Sequence, residues 1–425
     1  MSAAAKDADA ETAPLELAEA RARYDEAYAE FVQRLEARGI RFARRNEGAR
    51  EADGLRESVA AKGVERWYRD ASLRRGRVSP ACRDCVTARR SKTFELTARC
   101  HRRCFFCLNS ESAGAPEPER PWREEMQDVF DRGVRLEHIA LSGGEPLLLK
   151  EEAFSFFERA KTLFPSSWTR LYTSGDLLAD GDVERLRSCG LDEIRFSFKQ
   201  DDPPEAQAHL LDRVEEAKRL LAFVAVEMPV FPDSFEYMRD LMVELDRRGV
   251  DSINLLEFCF PFTAWEAFER RGYLIANPPF EVLYPYGYAG GLPVAGSELE
   301  CLRLLDFACE ARLGMGVHYC SLANKHRAEM FATHALEAQR KDGYVLDADD
   351  FFLKACKVFG REAVEAQRLL REMGARFSVD ENARSLQCEP RLKAVLDGAG
   401  LHTALSFCVK ENRSGQEVLR EVALR

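Results

Sequence analysis

The chain has 425 residues, enough for two or three domains and a sizeable core. Hydrophobic residues make up 46% and charged residues 32%, which excludes disorder throughout. The formal net charge of −10 argues against a broad nucleic-acid footprint, which needs a basic face.

No apolar run approaches the roughly 18 residues that a membrane span needs. The opening MSAAAKDADAETAP has neither the basic nor the apolar region of a secretory signal, so the expected compartment is the cytoplasm. There are 13 cysteines, an odd number and unevenly clustered. In a reducing compartment clustered thiols bind metal or do chemistry more often than they pair.

Residues 1–12 read as a loose Ala/Asp/Glu-rich tail. After Pro14, the residues Leu17, Tyr24, Tyr28, Phe31 and Leu35 recur at helical spacing, and Arg38-Gly39 reads as a stop. A second, highly charged helical stretch is expected up to about Tyr68. From residue 92 the texture changes. Six strands are expected at 93–97, 138–141, 169–173, 193–198, 223–228 and 253–258, with amphipathic helical patterns between them. Such alternation implies a parallel sheet, open or curled into a barrel. Residues 261–296 are irregular, with an aromatic loop at 284–288 that could cover the barrel mouth. Helix, strand and helix follow at 297–311, 317–320 and 325–339. The remainder reads as a small α+β domain, with two helical patterns before short strands near Phe377 and Leu405. The expected divisions are 1–78, a tail with a helical extension; 79–262, the α/β core; 263–340, a barrel extension; and 341–425, the α+β domain.

The central motif is Cys100-His-Arg-Arg-Cys104-Phe-Phe-Cys107, directly after the first core strand. Three thiolates so close together converge only if the backbone wraps around one object. Iron–sulfur clusters are held by such thiolates, usually four. Here no fourth follows nearby, which leaves one position open. The second motif is Ser142-Gly143-Gly144-Glu145-Pro146, immediately after the second strand. Its glycines let backbone approach a ligand, and its carboxylate can accept bonds from an ammonium group.

Together these residues resemble the radical S-adenosylmethionine (radical SAM) superfamily over about 92–260. The resemblance implies a partial (β/α)6 TIM-like barrel. It implies that Cys100, Cys104 and Cys107 bind a [4Fe-4S] cluster whose open iron is chelated by SAM. One-electron reduction would then split SAM into methionine and a 5′-deoxyadenosyl radical that abstracts hydrogen from a substrate. Phe106 would lie by the adenine, and Gly143, Gly144 and Glu145, with Ser142 beside them, would hold the SAM ammonium. The residue after the first cysteine is His101 rather than the commoner Asn, and a structural role is expected for it.

In (β/α) barrels, sites lie at the C-terminal strand ends. Thr173 and Ser174 end the third strand, Ser197 and Lys199 the fourth, Glu227 the fifth and Glu257 the sixth. Ser197 and Lys199 share a strand face and are candidates for the SAM ribose or carboxylate. Glu227 and Glu257 are candidates for adenosine or substrate, or for a salt bridge in the barrel mouth.

Cys82-Arg-Asp-Cys85 is half of a tetrahedral zinc or Fe–S site, and Cys320 is the best third ligand for such an auxiliary centre. Cys301, Cys309 and His318 are weaker choices. Segments such as VSPACRDC, LYTSGD and VHYCSLANKH resemble an uncharacterised radical SAM family loosely related to pyruvate formate-lyase-activating enzymes. That likeness implies the cofactor and a flavodoxin- or ferredoxin-type electron donor. It leaves the substrate open between a peptide or protein and a small metabolite. Activation of a glycyl-radical enzyme is one alternative, and a non-catalytic Fe–S or zinc sensor or scaffold is another. A nucleic-acid modifier is disfavoured by the net charge.

Overall fold

The computed structural model describes residues 15–37, 39–68, 70–85, 90–107, 121–260, 265–277, 291–338, 342–381, 384–413 and 416–425. The tail 1–12 and the aromatic loop 284–288 lie outside them. The chain divides into two compact units, one of 42–279 with 289–328, the other of 1–41, 280–288 and 329–425. None of the described helices is long and apolar enough to cross a membrane.

The larger unit is built on β1 (Glu65–Trp67), β2 (Ser72–Arg75), β3 (Ser91–Glu95), β4 (His138–Ser142), β5 (Trp168–Thr173), β6 (Glu193–Phe196), β7 (Phe223–Val230) and β8 (Ser252–Glu257). A short ribbon, β9 (Cys259–Phe260) and β10 (Leu292–Pro293), precedes β11 (Gly316–Cys320). The main sheet has nine strands in the order β1-β2-β11-β8-β7-β6-β5-β4-β3. All six expected strands form, parallel and in sequence order. The run at 317–320 joins them as a seventh parallel strand beside β8. The ribbon β1–β2 adds antiparallel to β11. The charged stretch expected to stay helical to Tyr68 stops after Ala49–Ala61. Gly63 takes φ +87°, turning the chain into β1.

Alternation divides the sheet into two faces. Outward-facing Phe94, Ile139, Leu141, Leu171, Ile194, Phe196, Val224, Val226, Met228, Ile253, Leu255 and Val317 are all at most 1% exposed. They pack under the helices, as both faces of a parallel sheet must be covered. The inward-facing set is polar: Ser72, Arg74, Arg170, Tyr172, Glu193, Arg195, Glu227, Asn254 and His318.

The segment 78–84 closes the N-terminal end. Ser79 Oγ donates to Glu193 Oε2 of β6 (2.7 Å), Arg74 Nη2 of β2 donates to the Cys82 carbonyl (2.7 Å), and His138 of β4 bonds Asp84 (2.8 Å). Strands far apart in sheet order thus meet one short segment, so the sheet is curled around it.

The other unit is a six-stranded antiparallel sheet: β12 (Val345–Leu346), β13 (Leu353–Phe359), β14 (Phe377–Asp380), β15 (Ser385–Cys388), β16 (Thr403–Arg413) and β17 (Gln416–Leu424). Helices Glu362–Glu372 and Lys393–Gly398 cover one face through Val358, Ala366, Leu370, Leu386 and Leu396. Helix Leu15–Glu36 contributes Leu17 to a second cluster with Phe359, Ala404 and Leu424. The α+β reading is therefore correct in kind, with four more strands than the two expected.

Phe156 of helix Lys150–Leu163 is fully buried against Phe94, Trp122 and Phe157. Phe156→Ala is expected to destabilise the larger unit by about 3–5 kcal/mol. Urea unfolding followed by the fluorescence of the adjoining tryptophan checks this, and a loss below about 1 kcal/mol would show a loosely packed site.

Candidate active site

The cysteine motif is placed by a main-chain zipper. Leu96 N donates to Ser142 O (3.2 Å), Gly144 N to Thr97 O (2.6 Å) and Glu145 N to Arg99 O (2.9 Å). The segments after β3 and β4 are thereby tied together just before Cys100. The approach is too close for side chains. A Cβ on Gly143 would lie 2.3 Å from Thr97 O, and one on Gly144 2.0 Å from Arg99 O. Gly143 also takes φ +129°. The glycines are thus required by contact between two chain segments as well as by any ligand.

Glu145 is 1% exposed. Its carboxylate accepts from Leu147 N (3.1 Å), Thr173 Oγ1 (2.7 Å), Ser174 N (2.8 Å) and Ser174 Oγ (2.8 Å). A carboxylate has about four lone-pair sites, and all four are used here. Glu145 therefore ties β4 to the end of β5, and Thr173 and Ser174 serve that tie. The direct carboxylate–ammonium bond expected from the sequence has no free acceptor in this arrangement.

Beyond the zipper the loop is clamped by charge. Arg102 reaches Asp176 after β5 through Nε and Nη2 and donates to Asp202 after β6 through Nη1 (2.6 Å). His101 Nε2 bonds the same Asp176 (2.8 Å), which gives it a structural role. Partial burial pulls the Asp176 carboxyl upward, but the bonds from Arg102 and His101 hold it down to about 2. Arg102 and Asp202 went unassigned in the sequence because the clamp spans 74 and 100 residues. The repeated arginines in CHRRC were the available signal.

Within the loop, Arg102 N donates to Cys100 Sγ (3.4 Å) and Cys107 N to the Cys104 carbonyl (3.0 Å). All three cysteines are free. Desolvation raises the Cys104 thiol, while the Lys199 charge acts to lower it. Lys199 is 8% exposed, and its ammonium donates only to Ser197 Oγ (2.6 Å) and Ser197 O (3.2 Å). Among the described residues it forms no ion pair, and Asp202 and Asp176 act on it only from beyond contact. A buried ammonium without an anion is costly, so this corner is built for a negative group. Phe106 lies edge-on to Phe105 and Phe231, with ring centroids 5.2 and 5.4 Å away, and Lys199 Nζ lies 5.9 Å from its ring.

The remaining candidates separate. Glu227 accepts from Arg195 Nη1 (2.5 Å) and Asn254 Nδ2 (2.6 Å), an ion pair inside the barrel. Glu257 falls on the outward side of β8 with Ile253 and Leu255. It accepts from Leu322 N (2.7 Å), and burial beside Glu298 pushes it up to about 7. With Glu298 it lines a cavity of about 480 Å³ walled by Arg271, Tyr273 and Leu299. Cys82 is buried, its Sγ accepting from Arg195 Nη2 (3.2 Å) and Asn254 Nδ2 (3.5 Å). Cys320 Sγ accepts from Asn324 Nδ2 (3.3 Å). His318 is spent on Ser72 Oγ (2.9 Å) and Asn254 (3.1 Å).

Residues 94–245, spanning the zipper, the cysteine loop and five parallel strands, match the family model of the Radical SAM superfamily. This segment is a radical SAM domain. A Methanocaldococcus jannaschii protein named as a glycyl-radical enzyme activating enzyme is 22% identical over 327 residues, 71% of this chain and 80% of that protein. PqqA peptide cyclase of Granulibacter bethesdensis is 34% identical over 116 residues, 27% of this chain and 30% of that protein. The crystal structure of Streptococcus suis SuiB bound to S-adenosylmethionine aligns with a TM-score of 0.34 at 15% identity, over 40% of this chain and 41% of that one. Radical SAM proteins are enzymes that use a [4Fe-4S] cluster and SAM, and the seven parallel strands supply the partial barrel.

The lowered Asp176 carboxyl adds stability above about pH 4 that is lost as pH falls towards 2. Metal-free wild type is expected to lose more thermal stability across that window than Asp176→Asn. Equal losses in the two proteins would show that the clamp does not stabilise the loop.

Proposed function

We propose that this radical SAM enzyme cleaves SAM reductively at the Cys100, Cys104 and Cys107 loop and takes hydrogen from a peptide or protein. The three cysteines would ligate the cluster. When bound, cluster and SAM together supply one-electron cleavage and hydrogen-atom abstraction. The residues of the chain do the holding. The cation of Lys199, oriented by Ser197, would receive the SAM carboxylate. The main chain of Ser142, Gly143 and Gly144 would face its ammonium, with Glu145 as the positioning residue behind them. Phe106 would bound the adenine. Glu227 holds Arg195 in place, and Glu257 belongs to the outer cavity beside the rim. The observation that carries this reading is Lys199, a buried ammonium in ion-pair contact with no carboxylate among the described residues, whose charge acts on the Cys104 thiol.

The names of the relatives support the substrate class: one is an activator of another enzyme, the other a cyclase of the PqqA peptide. Activation of a glycyl-radical enzyme is the second reading, favoured by a match over 71% of this chain. A flavodoxin- or ferredoxin-type protein would supply the electron. Cys82, Cys85 and Cys320 form the second candidate ligand set.

Anaerobically reconstituted protein with SAM and a strong reductant is expected to form 5′-deoxyadenosine, and the Cys100→Ala/Cys104→Ala/Cys107→Ala variant none. Lys199→Met is expected to weaken SAM binding about 10- to 100-fold, the worth of a charged hydrogen bond of about 1.5–3 kcal/mol. An iron-loaded wild type that neither binds nor cleaves SAM would overturn the proposal.

A further inference from the structure

The polar interior of the barrel carries a charge imbalance that the SAM site does not explain. Three arginines point inward and are almost wholly enclosed: Arg74 (3% exposed), Arg170 (6%) and Arg195 (3%). The carboxylates among them are Glu193, fully buried, and Glu227, half-buried, and Arg195 takes both, at 2.6 and 2.5 Å. Glu193 is further engaged by Ser79 and by Trp168 Nε1 (2.6 Å). Burial, with Arg74 and Arg195 close by, drives His318 down to about 3, so it adds no charge. Arg74 donates to neutral acceptors, Ser72 Oγ (3.2 Å) and the Cys82 carbonyl (2.7 Å), and its Nη1 has no partner. Among the described residues Arg170 makes no side-chain hydrogen bond or ion pair, its charge acting on Glu193 and Glu227 only from beyond contact, and its Nε is buried without a partner. The count leaves one uncompensated guanidinium in a desolvated interior. Burying an unpaired charge costs several kcal/mol, so a resident anion is called for.

The groups facing these arginines are thiols. Arg170 and Arg195 flank one ring, each guanidinium 5.3 Å from the centroid of Tyr172. Cys82 Sγ accepts from Arg195 Nη2 and lies against the Asn254 side-chain amide, so the thiol is in direct contact with one of the arginines. Arg170 and Arg195 both act on the Cys85 thiol, and Cys82 and Cys85 both act on Cys320. Tyr172, Glu227 and Cys320 face inward yet are only half-buried, and Cys85 is exposed, so open space lies beside them inside the barrel. Among the described residues, the one set of three ligands with all atoms within 4.8 Å of one another is Asp84, Glu137 and His138. Cys82, Cys85 and Cys320 are not so tight a set.

We propose that Cys82, Cys85 and Cys320 hold a second, iron–sulfur centre in the hollow of the barrel, with Arg170 and Arg195 as its buried counter-charges. The thiolates and the cluster provide the anion that Arg170 lacks. Asn254 and Asn324 donate N–H bonds to the ligand sulfurs, the kind of bond that tunes such centres.

The test separates the two centres. The Cys100→Ala/Cys104→Ala/Cys107→Ala variant, reconstituted anaerobically, is expected to keep about half the iron and sulfide of wild type, with thiolate-to-iron charge-transfer absorption. Adding Cys82→Ser and Cys85→Ser should remove the rest, with the far-UV circular dichroism unchanged. Cys320→Ser alone, in the triple-alanine background, should give the same loss. Arg170→Met in that background should lower the reduction potential of the remaining centre, because a reduced cluster is the more negative state. A folded triple-alanine variant that binds no iron would overturn the proposal. So would stoichiometric zinc in its place, or residual iron indifferent to Cys82, Cys85 and Cys320. Conversely, Cys82→Ser/Cys85→Ser in the otherwise native chain should keep one centre and still bind SAM. Failure there would count against the SAM site and leave the second centre standing.

Discussion

The position of the cysteine loop depends on two chain segments meeting backbone to backbone. Residues 96–99 and 142–145 approach so closely that a methyl group on Gly144 would overlap the Arg99 carbonyl. Glu145 extends the contact to a third strand by filling its four acceptor sites from Leu147, Thr173 and Ser174. Three strand ends are thus fixed relative to one another before any ligand arrives. The loop inherits that rigidity through Arg102, whose guanidinium spans Asp176 and Asp202. A reactive site needs its first ring of groups held by a second, and here the second ring is mostly main chain.

The two faces of the sheet do opposite work. The outward face is mostly apolar and stabilises the fold through burial beneath the helices. The inward face is charged, which is tolerable only where each charge finds a partner or a ligand. Arg195 pairs with two carboxylates, and among the described residues Lys199 and Arg170 are in ion-pair contact with none. These two cations lie at different levels of the barrel, one on the rim and one near its base. Each marks a place where the fold spends stability on something other than folding.

The six core strands were legible because their outward residues alternate as Val, Ile, Leu and Phe. The cysteine motif was legible because its spacing has few structural uses. The role of Glu145 was not, since its partners lie 28 and 29 residues away. Glu257 read as a barrel-mouth group because it ends a strand, but alternation puts it with Ile253 and Leu255. In the C-terminal sheet, β13 was hidden by Lys354 and Lys357, which look solvated. Both are buried, Lys354 against Asp347 and Asp350 and Lys357 against Glu421. The β17 sequence, QEVLREVAL, has the composition of a helix, and only pairing with β16 makes it a strand.

Helix Leu15–Glu36 is synthesised well before the strands it packs on, yet Leu17 clusters with Phe359, Ala404 and Leu424. At about 5–20 residues per second, roughly 20–80 seconds separate the synthesis of the two. The barrel strands lie wholly between them and can pair during that interval. The smaller unit therefore assembles after the larger one is complete, and until then the helix must be kept from adhering elsewhere. Its high content of charged residues, in LELAEARARYDEAYAEFVQRLE, suits a segment that waits in water.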